Sequence, residues 1–189
     1  GYEEMNQLAG EAEEAAWART TADKLRKVFH RTFWNGKYYI SPGYQGKPDD
    51  RAQALAVVSG VLPKELYPVI RPFFSTWYHA SPYMEKYVLE ALCTMGYYQD
   101  ALNRMKLRYR VMIESPLTTL WEGWGIGSEG FGGGTYNHAW SGGPLTILSQ
   151  YIAGIETLEP AFRTFRVAPH PAHLNFIRTQ VPLSGGRRI

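Results

Sequence analysis

The residues that could do chemistry gather in one stretch. Glu122 sits between Trp121 and Trp124, a glycine-rich run follows, and the run ends in Tyr136-Asn137-His138-Ala139-Trp140. A loop glutamate ordinarily faces water. Two indoles beside it argue otherwise, because a loop carrying both is expected to pack against something, and a carboxylate held there needs a partner or a purpose. The chemistry that fits is glycoside hydrolysis. One carboxylate activates water or attacks the anomeric carbon, and a second carboxyl protonates the leaving oxygen. Trp121, Trp124, Tyr136 and Trp140 could offer flat faces to a sugar ring, and Asn137 and His138 could read its hydroxyls.

Other carboxylates are weaker candidates. Asp49 and Asp50 stand where a helix begins and read as caps. Glu85 lies one turn into a helix and is expected to be solvated, and Glu114 follows the end of another. Glu129 shares the glycine-rich run with Glu122 and is the best secondary candidate. The five histidines form no helical i, i+4 pair, so no metal site is expected. The Gly-x-Ser-x-Gly elbow of a serine nucleophile is missing, as is the lysine of a phosphate loop.

Composition supports a folded protein with a ligand that wants platforms. Of 189 residues, 14% are aromatic, with 13 Tyr and 6 Trp. The net charge of +3 is too small to argue for nucleic acid. The basic cluster Lys106 to Arg110 falls inside a predicted helix and reads as a solvated face. A single cysteine, Cys93, excludes an intrachain disulfide and lies on an apolar helix face. No apolar run approaches the roughly 18 residues of a membrane span. The first residues, Gly1-Tyr2-Glu3-Glu4, carry no signal-peptide pattern. The chain reads as a piece of something longer, which leaves the compartment open, a periplasmic or secreted parent included.

The elements that must position the stretch are mostly helices. Leu8, Ala12, Ala15, Ala22, Leu25 and Phe29 recur at helical spacing and predict one long helix over 3–30. Asn35-Gly36 between aromatic residues predicts a small hairpin or irregular loop. Further helices are expected from Asp49-Asp50 to about Ser59, from Pro63 to Pro72, from Ser81-Pro82 to Gly96, from Tyr98 to Ile113, and from Pro144 to Gly154. Short links between them give the pattern of helical hairpins. The glycine-rich run over 123–143 cannot be regular structure, and a loop of that length is expected to be functional. Beyond it, Phe162–Val167 and Leu174–Ile177 with Val181 read as strands. The expected division is therefore a helical unit over 1–154 and the start of a β-rich unit over 155–189.

Several of these segments resemble a known family. Thr118-Thr119-Leu120-Trp121-Glu122, then Asn137-His138, then Tyr151-Ile152-Ala153-Gly154-Ile155 are similar to the C-terminal part of α-L-rhamnosidases of glycoside hydrolase family 78. Weaker echoes are Asp50-Arg51-Ala52-Gln53-Ala54-Leu55-Ala56, Ser81-Pro82-Tyr83-Met84, Glu159-Pro160-Ala161-Phe162 and Val167-Ala168-Pro169-His170-Pro171. Together they span most of residues 50–175. The resemblance implies an (α/α)6 barrel of six helical hairpins, followed by a C-terminal β-sandwich. It implies inverting hydrolysis of terminal α-L-rhamnosides without a cofactor. By matched position Glu122 would be the general base and His138 a sugar-binding residue. The family's general acid lies in an acidic motif of the first half of the barrel, and no stretch here matches it. The chain thus looks like the C-terminal half of the catalytic domain plus a stub of the sandwich. Gly123 after Glu122 and Ala139-Trp140 after His138 depart from the family's pattern, which bears on sugar specificity more than on reaction type. Two alternatives remain from the residues themselves: a six-hairpin glycosidase for another sugar, and a non-catalytic carbohydrate-binding module. Half a barrel would expose apolar helix faces, so self-association is expected as well.

Overall fold

The computed structural model describes residues 1–126, 134–183 and 188. It is mainly helical, with one small antiparallel sheet. The expected long N-terminal helix is two: α1 (Tyr2–Ala9) and α2 (Ala12–Phe33). Gly10 separates them with a left-handed φ of 81°, which a residue without Cβ adopts freely. Helical periodicity runs through both halves, so the pattern alone could not show this break. The turn folds α1 back on α2, where Arg19 donates to Glu3 and Ala15 is buried.

The expected hairpin follows, closed by a bridge between Trp34 and Tyr39, with the Asn35 side chain accepting from the Lys37 and Tyr38 amides. Helix α3 (Asp50–Val58) begins at Asp49, whose side chain accepts from the Arg51 amide. The helix expected over 63–72 is instead a chain of short turns: a 3-10 turn at Lys64–Leu66, α4 (Tyr67–Ile70), and a second 3-10 turn at Arg71–Ser75. Pro72 does not end it, because it occupies the first turn of the last segment, where its missing N–H costs nothing.

Helix α5 (Pro82–Thr94) is the centre of the molecule. Ser81 caps it by accepting from the Met84 amide, and Val88, Leu89, Ala91, Leu92 and Cys93 are all buried. Buried residues on so much of its circumference mean neighbours on several sides. These are α3, α6 (Tyr98–Ile113) and α7 (Gly143–Ile147). Ala54, Val57, Ile70, Phe73 and Phe74 complete this core, each large side chain stabilising it by roughly 1.5–3 kcal/mol on burial. After α7 the backbone widens into a π-turn at Leu148–Ile152. Strand β1 (Ile155–Thr157) then pairs with β2 (Phe165–Val167), Ile155 opposite Val167.

The strand expected at Leu174–Ile177 with Val181 is not formed; within those residues the backbone is irregular, with a bend at Asn175. Its apolar residues find no neighbouring strand among the described residues, and a pattern without a partner makes no ladder. Phe162 belongs to a 3-10 turn over Pro160–Phe162, so β2 is shorter than its pattern. The segment after β2 is fastened to α6. The His170 ring stacks on Tyr98 at 4.1 Å, and His173 meets Gln99 and Lys106. No helix among the described residues is long and apolar enough to cross a membrane.

Candidate active site

Two backbone hydrogen bonds build the site. The Glu122 amide donates to the Thr135 carbonyl at 3.0 Å, and the His138 amide donates to the Leu120 carbonyl at 2.8 Å. The segments on either side of the glycine-rich run therefore lie antiparallel and adjacent. The Thr119 hydroxyl donates to the Tyr136 carbonyl, and the buried Ser141 hydroxyl to the Trp121 carbonyl. Gly134 enters this pair with φ of 111°, and a Cβ there would touch the Glu122 side chain. The contact would be an ordinary one, so it is the positive φ that calls for glycine here.

The side chains converge on one carboxylate oxygen. Oε2 of Glu122 accepts from the Thr135 amide at 2.9 Å and lies 3.5 Å from His138 Nδ1. His138 Nδ1 in turn lies 2.9 Å from the Thr135 hydroxyl. With Nδ1 accepting that hydroxyl proton, the imidazole is neutral and Nε2 carries the hydrogen. In the other neutral tautomer Nδ1 carries the hydrogen and donates to the Thr135 oxygen, and Nε2 is the acceptor. Glu122 Oε1 makes no hydrogen bond among the described residues. Both side chains are partly open to solvent, so among the described residues the carboxylate is held on one edge only.

The aromatic residues divide into two groups. Trp121 is only 8% exposed and stacks edge-on against Tyr136 at 5.3 Å, so its ring is part of the core. Its indole N–H has no hydrogen-bond partner among the described residues. Trp124 donates its indole N–H to the Ala80 carbonyl at 2.7 Å and packs on Tyr109. These two anchor the loop. Tyr136 and Trp140, each 45% exposed, present the accessible faces. The Trp140 ring is 4.2 Å from the His138 ring and 5.3 Å from Tyr83. Asn137 is exposed on the same segment. Glu129 lies outside the described residues.

Two members of this cluster were not legible in the sequence. Tyr83 reaches the rim from the first turn of α5, and only its place after the Ser81-Pro82 helix start hinted at an end-of-helix position. Thr135, which links Glu122 to His138, follows the glycine run without any motif signal.

The other carboxylates have different fates. Asp49 caps α3, and its carboxyl is held below the ordinary range: burial opposes this, and the hydrogen bonds from Arg51 outweigh it. Glu85 is not solvated. It is fully buried and accepts twice from Arg104, at 2.5 and 3.0 Å. Asp50 is also fully buried, accepting from Arg104 at 2.5 Å and from the His79 amide at 3.1 Å. Arg104 spends its remaining donors on the Phe74 and Trp77 carbonyls. Burial works against the Arg104 charge, but Glu85 and Asp50 outweigh it and hold the guanidinium above its ordinary range.

Arg108 corrects the reading of the basic cluster as a solvated face. It points inward, 3.6 Å from Glu85 and stacked 4.2 Å over Trp124, while Lys106 and Arg110 are exposed. Burial pushes its pKa down, opposed by Glu85. Four charges of balanced sign thus tie α3, α5 and α6 together and reach the Trp124 end of the Glu122 loop. Among the described residues no group of His, Cys, Asp and Glu could hold a metal ion.

Neither protein-family models nor curated proteins give a match to this chain.

Proposed function

We propose that this chain carries the sugar-binding and general-base part of a glycoside hydrolase, with terminal α-L-rhamnosides as the substrate class. The supporting observation is the Glu122–Thr135–His138 cluster, open to solvent beside the exposed faces of Tyr136 and Trp140. Glu122 is fixed through Oε2 and accepts a proton from water at Oε1. His138 and Asn137 contact sugar hydroxyls, and Trp140 stacks on the ring. Trp121 and Trp124 act by holding the loop. On this reading α3 to α7 belong to an (α/α)6 barrel, and the inverting acid lies outside these 189 residues.

An inverting pair keeps its carboxyls about 6.5–9.5 Å apart with water between them. The chain alone is therefore expected to bind L-rhamnose but not to hydrolyse an aryl rhamnoside. In calorimetry, His138→Ala and Trp140→Ala should each weaken rhamnose binding. In a longer protein that includes the acid, Glu122→Gln should abolish hydrolysis, and the wild-type product should form with inverted anomeric configuration. Hydrolysis that survives Glu122→Gln, or a product of retained configuration, overturns the assignment. Tight binding of another monosaccharide in place of rhamnose would move the substrate class and leave the role of Glu122 standing.

A further inference from the structure

The aromatic surface beside His138 does not end at Trp140. Tyr83 continues it, with its ring 5.3 Å from the Trp140 ring and tilted by 42°. Tyr83 is 42% exposed. It stands in the first turn of α5, so a helix rather than a loop fixes it. Tyr87, one turn further on, meets it edge-on at 5.9 Å. The Lys86 ammonium lies 4.8 Å over the Tyr87 ring and pairs with Glu90 at 2.5 Å. Glu90 also accepts from the Tyr151 hydroxyl at 3.0 Å. Tyr83 is thus braced from behind and open in front.

The backbone sets the contact between Tyr83 and Trp140. Trp140 rides on the 3-10 turn Ala139–Gly142, which leads straight into α7 at Gly143. A Cβ on Gly143 would fall 2.5 Å from the Lys86 Cβ and 3.2 Å from the Lys86 Cα. A residue without that atom lets the turn settle on α5. Trp140 precedes Gly143 by three residues, and Tyr83 precedes Lys86 by three. The same close approach therefore brings the two rings together.

Two tilted faces cannot serve one flat group. Planes inclined at 42° with centres 5.3 Å apart are too far from coplanar for a single pyranose, or a fused planar ring system, to lie on both. Trp140 takes the ring on which Glu122 acts. The face of Tyr83 then suits a second ring, joined to the first through a bond that can turn. We propose that Tyr83 binds the sugar on the leaving side of the scissile bond, so that the substrate is an oligosaccharide in which terminal α-L-rhamnose is linked to another sugar. Because the rhamnose is terminal, a second ring has only the leaving side to occupy. This inference rests on the glycoside hydrolase reading of the Glu122 site.

Calorimetry on the intact chain tests it with two ligands, methyl α-L-rhamnoside and a disaccharide of α-L-rhamnose linked to D-glucose. The wild type should bind the disaccharide about three- to tenfold more tightly, the range of one aromatic contact. Tyr83→Ala should erase that preference, and Tyr83→Phe, which keeps the face, should preserve it. His138→Ala should weaken both ligands and leave the preference in place. In NMR of the wild type, nuclear Overhauser contacts should connect the glucose protons to the Tyr83 ring, a readout that does not need the alanine variant to fold. Equal binding of the two ligands by the wild type, a preference that survives Tyr83→Ala, or glucose protons without a contact to Tyr83 overturns the inference and leaves the role of Glu122 standing. A chain that binds neither ligand overturns the reading of the site as well.

Discussion

Two regions of this molecule hold carboxylates next to a basic group, and they are built in opposite ways. Asp50, Glu85 and Arg104 sit inside the helical core, where Arg104 also satisfies two backbone carbonyls. Glu122 sits on irregular backbone, bonded through one oxygen, with His138 and Thr135 beside it and solvent within reach. The first arrangement leaves no capacity for a ligand, since its polar groups are consumed by one another. The second leaves capacity unspent. Unspent hydrogen-bonding capacity on a fixed scaffold is what a binding site needs, so chemistry is expected at the loop and stability at the network.

Breaking the network should have the largest effect on stability. Arg104→Met leaves buried Asp50 without a charged partner and Glu85 with only Arg108 at 3.6 Å, and is expected to cost about 3–5 kcal/mol in urea unfolding. A loss below about 1 kcal/mol, within the range of an ordinary hydrogen bond, would mean that the network is not what joins α3, α5 and α6.

The core also predicts an alkaline transition. Burial raises the Cys93 thiol from 9.0 to about 12. A group whose pKa is raised on folding contributes stability fully present below its unfolded value and lost as pH climbs through the folded value. Stability should therefore fall between pH 9.0 and about 12, and Cys93→Val should make that decline shallower. Tyr39, raised by burial to about 12, adds to the same window and should keep the slope of the variant from vanishing.

At the loop the expected effects on stability are smaller. Thr135→Val removes the hydroxyl beside His138 but keeps the amide that holds Glu122. It should cost about 0.5–1.5 kcal/mol, the usual net contribution of one hydrogen bond, measured by urea unfolding. Glu122→Gln should change stability by no more than about 0.5 kcal/mol. A large destabilisation by Glu122→Gln would make this carboxylate a structural group like Glu85 and erase the contrast between the two regions.

The two regions also differ in how they read as sequence. Glu122 was conspicuous because indoles, glycines and a histidine lie close to it along the chain. Glu85 looked like an ordinary solvated helix residue, because its partners Asp50 and Arg104 lie 35 and 19 positions away. Arg108 was hidden for a related reason, since periodicity placed it among exposed Lys106 and Arg110 and could not show Trp124 arriving over it. The aromatic residues were found as a group, but their division into buried anchors and open faces depends on neighbours distant in the chain.

What the sequence by itself determined is local. Spacing and caps placed α3, α5 and α6 to within a residue or two, because Asp49, Ser81-Pro82, Gly60 and Gly96 act on the backbone beside them. The hairpin at Asn35-Gly36 was legible for the same reason. Tertiary structure decided the rest. It chose which carboxylates are consumed by arginine, which indoles are covered, and where a strand pattern goes unanswered for lack of a partner. It also brought Thr135 and His138 across the glycine-rich run to Glu122. Each outcome depends on solvent exclusion or on contacts between distant positions, and neither quantity exists until the chain has packed.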